Sequence, residues 1–227
     1  MNTKPTTALP GLSKGRVEAL TDGIFATVMT VLVLSLSAPV ITGALPTELN
    51  SEVTMSIQKL LPDIVGYVIS FLILGVMWVS HHAVFNYIQK MNRSLLWLNM
   101  IFLLTIGFVP FSTALLGRYP QLQIPVIIYG ANILSISITM QAFLWYAVRN
   151  KIIVTEEGGE TVVKRILSRW RLGSFIYAGA IVLSFVNPVI SVIIYGLALI
   201  YFVITSSFGS ILKPQSHDAQ TSLSPKT

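Results

Sequence analysis

Six stretches of the chain are long and apolar enough to cross a lipid bilayer as helices, roughly residues 16–38, 57–88, 94–116, 123–148, 170–187 and 188–210. A spanning helix needs about 20 mostly apolar residues. Lipid offers no hydrogen-bond partners, so the backbone must satisfy itself within each segment, and helices do so. The expectation is therefore an all-α polytopic membrane protein with six transmembrane helices. Composition agrees, since 53% of the 227 residues are hydrophobic, 11% are charged and the mean hydropathy is +0.73. Soluble domains carry about 25% charged residues. No aqueous segment is long enough to fold alone, so residues 1–212 are expected to form one transmembrane domain. Residues 213–227, rich in Ser, Thr, Pro and Gln, are expected to form a disordered cytoplasmic tail.

Boundaries follow from local signals. The start of the second segment, "SIQKLLPDIVGY", reads as interfacial, with Pro62 near the true beginning of the span. Asn187-Pro188 separates the last two segments and signals a tight turn. That pair reads as a helical hairpin, or else as one long kinked helix. The charged stretch from Arg149 to Arg171 reads as a loop, with Glu156–Glu160 as a solvated turn within it. The first apolar run is too long for a cleavable signal, whose core is about 7–15 residues. With no cysteine in the chain, disulfides and Cys-ligated metals are excluded.

The net charge of +6 is a topology signal. With the N-terminus inside, thirteen of the 15 Lys and Arg residues fall on the inner side, and only Lys59 and Arg118 fall outside. This asymmetry satisfies the positive-inside rule and places both termini in the cytoplasm, with the cell membrane as the expected location. Anionic lipid, not nucleic acid, is the expected neighbour of the excess charge. Trp145, Tyr146, Trp170 and Tyr177 fall near inner boundaries and read as an aromatic belt.

Some polar residues lie where lipid should reject them. Asp22 sits in the first span, six positions after Arg16. A membrane carboxylate is retained when it pairs with protein or lines water. Six positions is not a facing spacing, so Asp22 should look across to another helix. Trp78, His81 and His82 in "MWVSHHAVF", and Asn99 in "LLWLNMIFLL", fall at a similar depth. Together these groups can build a buried polar network. It reads as structural glue between helices, as a proton relay through Asp22 and the histidines, or as a metal site. Adjacent histidines are poorly spaced as ligands compared with i,i+4 pairs.

On a helical wheel, Thr27, Thr30, Val31 and Leu34 form one stripe of the first helix. Asp22 lies more than about 100° from its centre, while Phe25, Ala26, Met29 and Val33 fall on the Asp22 side and read as packing. The threonines either bond back to their own helix or line a narrow pore for partly dehydrated ions.

These residues resemble a known family. "RVEALTDGIFATVMTVLVLSLSAP" is similar to the first helix of prokaryotic relatives of transmembrane protein 175, the lysosomal potassium channel, through Arg16, Asp22, Gly23, Ile24, Phe25 and Ala26. The likeness continues through Trp-x-x-His-His in "SFLILGVMWVSHHAVFNYI" and through the Leu-Asn and Phe-x-Pro-Phe-x-Thr elements of "LLWLNMIFLLTIGFVPFSTALLGRY". The last three segments match in hydropathy alone. The resemblance implies a potassium-preferring cation channel with no TVGYG-type filter, in which four copies of the chain surround a pore lined by the first helix. It implies no cofactor, no structural metal and no enzymatic activity, with potassium passing transiently. Carried over, Thr27 is the constriction and Thr30 the selectivity position, with Val31 and Leu34 further along the pore. Arg16, Asp22, Trp78, His81 and Asn99 would brace the pore helices.

The sequence also departs from the family pattern. Leu20 and Thr21 replace a Phe and a Ser. Thr27 stands where the family has a bulky aliphatic side chain. A hydroxyl ring is wetter and smaller, so a leakier or less selective pore is expected, with any hydrophobic gate moved outward to Val31 or Leu34. Two other functions compete. A proton-coupled secondary transporter would use Asp22 and His81, but the inverted repeat usual in transporters is not visible. A non-conducting membrane scaffold would turn the stripe toward lipid or protein.

Overall fold

The computed structural model describes residues 13–40, 47, 49–153 and 159–211, with the side chains of 159–162 and 206–211 left aside. The elements are α1 (Lys14–Leu32) with a 3-10 turn (Val33–Ser35), α2 (Leu49–Lys59), α3 (Leu61–Asn86), α4 (Arg93–Gly107), α5 (Val109–Arg118), α6 (Gln123–Arg149), α7 (Gly159–Leu183) and α8 (Pro188–Ile211). Six helical segments among the described residues are long and apolar enough to cross a membrane. Among the described residues, β-pairing is confined to an isolated bridge between Ile88 and Ile153. The all-α, six-span expectation holds.

Local chemistry explains most of the boundaries. Ser13 caps α1 by accepting the Arg16 N–H, and Asn92 caps α4 by accepting the Leu95 N–H at 2.9 Å. The third span is broken at Phe108 into α4 and α5, with Pro110 in the first turn of α5. Proline supplies no N–H and crowds the preceding turn, so one helix becomes two. Ahead of the second span, α2 is a separate helix, and α3 begins at Leu61 with Pro62 in its first turn.

The last two spans form a hairpin rather than one kinked helix. Asn187 Oδ1 accepts the Val189 N–H at 2.9 Å, and Ser191 donates back to the Ala180 carbonyl at 2.7 Å. Pro188 in the first helical turn completes the cap.

One expectation needs correction: the basic stretch before residue 171 is not a loop, because α7 starts at Gly159. Val163, Ile166, Leu167 and Trp170 recur at i, i+3, i+4 and i+7 and pack on the core. Lys164 and Arg165 are exposed beside them. Averaged hydropathy hides such a face, and the periodicity reveals it. Most of the Glu156–Glu160 turn, and the tail from 213 to 227, lie outside the described residues.

The core gathers around α6, which packs against α4, α5, α7 and α8. Two of the expected belt aromatics are interior instead. Tyr177 is 4% exposed and stacks near Tyr195, and Trp170 is 9% exposed. Trp145 does face outward, with the Arg149 guanidinium 5.1 Å from its ring. Buried hydroxyls pair across helices, Thr113 donating to Ser70 at 2.7 Å and Asn132 to Ser112 at 3.0 Å. Among the described residues no buried side-chain nitrogen or oxygen lacks a partner.

Candidate functional site: the open face of the first helix

Helix α1 has two faces. Val17, Thr21, Phe25, Val28 and Leu32 are buried against α3, α4 and α5. Their i, i+4 and i+3 spacing makes a single inward stripe. The opposite face is open, and Thr27, Thr30, Val31 and Leu34 all lie on it, Leu34 being 74% exposed. Thr30 sits near the centre of that face, about half a turn around the helix from the buried stripe. No charged side chain follows Asp22 on this helix.

The face is wider than the four-residue stripe. Phe25 packs as expected, but Ala26 and Val33 are exposed within the single chain. Asp22 itself lies on the edge of the open face.

Both threonines are back-bonded. Thr27 donates to the Gly23 carbonyl at 2.8 Å, and Thr30 lies 3.0 and 2.8 Å from the Ala26 and Thr27 carbonyls. These bonds do not exclude an ion-facing role. A hydroxyl whose proton is committed to the backbone presents only lone pairs outward. The open face therefore carries two levels of oxygen acceptors, followed by aliphatic side chains.

The polar residues beside α1 form two connected groups instead of one network. In the first, Trp78 Nε1 donates to Asp22 Oδ1 at 2.8 Å, and the Trp78 ring stacks on His82 at 5.8 Å. In the second, His81 Nε2 lies 2.9 Å from Asn99 Oδ1, and Asn99 Nδ2 donates to Thr21 Oγ1 at 3.1 Å. Thr21 in turn donates to the Val17 carbonyl at 2.9 Å.

The direction of this second chain is forced. Because the Thr21 proton goes to Val17, its oxygen must accept from the Asn99 amide. That leaves the Asn99 carbonyl to accept, so His81 carries its proton on Nε2. His81 is 3% exposed and stacks on Phe85 and Phe102 at 4.2 and 5.3 Å.

Arg16 is exposed on α1, toward the N-terminal side of Asp22. Thr21 is the residue that sequence reasoning undervalued. It acts as the acceptor from Asn99, a role open to any hydroxyl at that position. Among the described residues, no three His, Asp or Glu side chains converge as a metal site would require.

Comparisons with known proteins identify the family. The family model described as endosomal/lysosomal potassium channel TMEM175 matches residues 16–110, which take in most of α1, the Trp78–His82 segment and Asn99. A potassium channel of Streptomyces collinus is 29% identical over 192 residues, covering 83% of this chain and 90% of that one. A potassium channel of Chamaesiphon minutus is 31% identical over 196 residues, covering 85% and 95%. The crystal structure of a lysosomal potassium-selective channel TMEM175 homolog from Chamaesiphon minutus superposes with a TM-score of 0.73 at 30% identity, covering 85% of this chain and 97% of that one. Sharing its spans, its fold and nearly the full length of these relatives, the chain belongs to the TMEM175 channel family.

Proposed function

We propose that this protein is a potassium-preferring cation channel, conducting passively along the open face of α1 without a TVGYG-type filter. The observation that carries the reading is the placement of Thr27 and Thr30 on an open face that bears no charge beyond Asp22, with their protons turned inward. Oxygen lone pairs facing water replace part of a cation's hydration shell and offer nothing to an anion. One helix cannot enclose a pore, so several copies of the chain would contribute, and the family resemblance supports four. Rotational symmetry would then turn each single threonine into a ring.

In this reading residues 1–212 act as one channel domain. Thr27 is the constriction, Thr30 bears on selectivity, and Val31 and Leu34 continue the pore. Trp78 and Asp22 hold α3 against the rim of the pore helix, while His81 and Asn99 grip its back through Thr21. Arg16 belongs to the same bracing region. The charge asymmetry supports a cell-membrane location with both termini cytoplasmic. As a proton relay the site is less well suited, since Asp22 bonds to Trp78 while His81 bonds to Asn99.

The test is the reversal potential of purified protein in planar bilayers with potassium on one side and sodium on the other. A shift toward the potassium equilibrium value is expected. Current reversing near zero would remove the preference for potassium, and pH-driven uptake without passive current would replace the channel with a transporter.

A further inference from the structure

A second feature lies away from α1. A narrow, partly open cleft runs between α3, α6, α7 and α8. Its inner reach is formed by Ile73, Ile133, Tyr177 and Leu199, residues near the middle of their spans. Its two serine hydroxyls are already committed, Ser80 to the Val76 carbonyl at 2.8 Å and Ser137 to the Trp170 carbonyl at 2.8 Å, which leaves the Tyr177 hydroxyl as a polar group of the inner wall. The rest of the wall is mostly apolar.

Arg169 is the exception. It lines the cleft from the basic end of α7, inside the membrane-spanning segment. At that end of the span a positive charge lies where anionic headgroups gather. Its guanidinium is held by neutral oxygens, those of the Phe202 and Thr205 carbonyls at 3.3 Å and the Thr205 hydroxyl at 2.9 Å. These three bonds engage three of its five N–H donors, and none of them neutralises the charge. Arg165 lies one turn away on the same side of α7, which adds a second positive charge. Gly173 keeps the wall thin, since a Cβ there would come within 3.2 Å of Phe202.

We propose that this cleft binds one acyl chain of an anionic phospholipid from the leaflet at the basic end, with its phosphate paired to Arg169. The apolar walls suit a hydrocarbon chain, and the mouth supplies charge where a headgroup would sit. The two N–H donors that remain on Arg169 and its positive charge are available to a phosphate oxygen.

The experiment titrates the purified full-length protein with dioleoylphosphatidylglycerol or dioleoylphosphatidylcholine and counts bound lipid per subunit by native mass spectrometry. One phosphatidylglycerol per subunit is expected, at a concentration about tenfold or more below that needed for phosphatidylcholine. Arg169→Gln should abolish this preference, whereas Arg171→Gln, which removes an exposed charge from another side of α7, should keep it. Val76→Phe, which fills the cleft, should lose the bound lipid. If Arg169→Gln does not fold, Arg165→Gln and Val76→Phe decide the matter, the former by a weakened preference. Equal affinity for the two lipids, equal effects of the Arg169 and Arg171 variants, or binding that survives Val76→Phe would overturn the proposal. Laurate bound at one per subunit in place of phosphatidylglycerol would overturn the phospholipid assignment.

Discussion

Thr27 and Thr30 present hydroxyl oxygens whose protons already serve the helix, which makes each an acceptor rather than a donor toward anything on the open face. Replacing Thr27 with Ile exchanges an acceptor for a bulky aliphatic group that resists wetting. Thr27→Ile is expected to lower single-channel conductance severalfold and to move the reversal potential further toward potassium. Unchanged conductance and selectivity would remove Thr27 from the constriction. On the buried side, Asn99 satisfies His81 and Thr21 together. Asn99→Leu would leave the buried His81 N–H unpaired, at about 1–3 kcal/mol, and would remove the bond that Thr21 accepts. A clearly lower melting temperature of the purified protein is expected, and an unchanged one would mean that the His81 chain does not stabilise the fold. At this scale much of the site was legible. Asp22, Trp78, His81 and Asn99 stood out because polar residues inside spans need partners. Their division into two groups was not legible, because it depends on how α3 is rotated about its axis.

Helices α6, α7 and α8 meet so closely at Gly130 that a Cβ there would strike the Tyr195 hydroxyl and come within 2.8 Å of Ile181. Gly130→Ala should therefore destabilise the hairpin's docking by about 1–3 kcal/mol through overpacking, again read as a lowered melting temperature. Wild-type stability in that variant would show that Tyr195 can move aside. The element scale also shows what hydropathy can and cannot reveal. Spans were readable because lipid demands length and apolarity at once. The N-terminal half of α7 was not, since Lys164, Arg165, Arg169 and Arg171 dominate the average while Val163, Ile166, Leu167 and Trp170 do the packing. Tyr177 and Trp170 were misplaced in a belt for a related reason. Sequence position gives depth in the membrane, but not which side of the helix a residue occupies. The cleft beside Arg169 was equally invisible, because it is bounded by four helices that are distant in sequence.

The whole molecule presents an α1 that is packed on one side and open on the other, at the margin of a six-span bundle. A single chain leaves that face uncovered, and the proposed tetramer would close it around water. Apolar residues elsewhere, such as Leu104 at 74% exposure, face outward without accompanying hydroxyls and suit lipid. The chain contains no cysteine, so each face can be probed with a single introduced thiol. The most direct measurement is block of potassium current by a water-soluble methanethiosulfonate reagent in Thr30→Cys and Leu34→Cys channels, with Leu104→Cys as the lipid-facing control. Lining of the pore by α1 predicts loss of most of the current in the first two and none in the third. Current that persists in Thr30→Cys and Leu34→Cys under the reagent, or that falls only in Leu104→Cys, would place the ion path elsewhere.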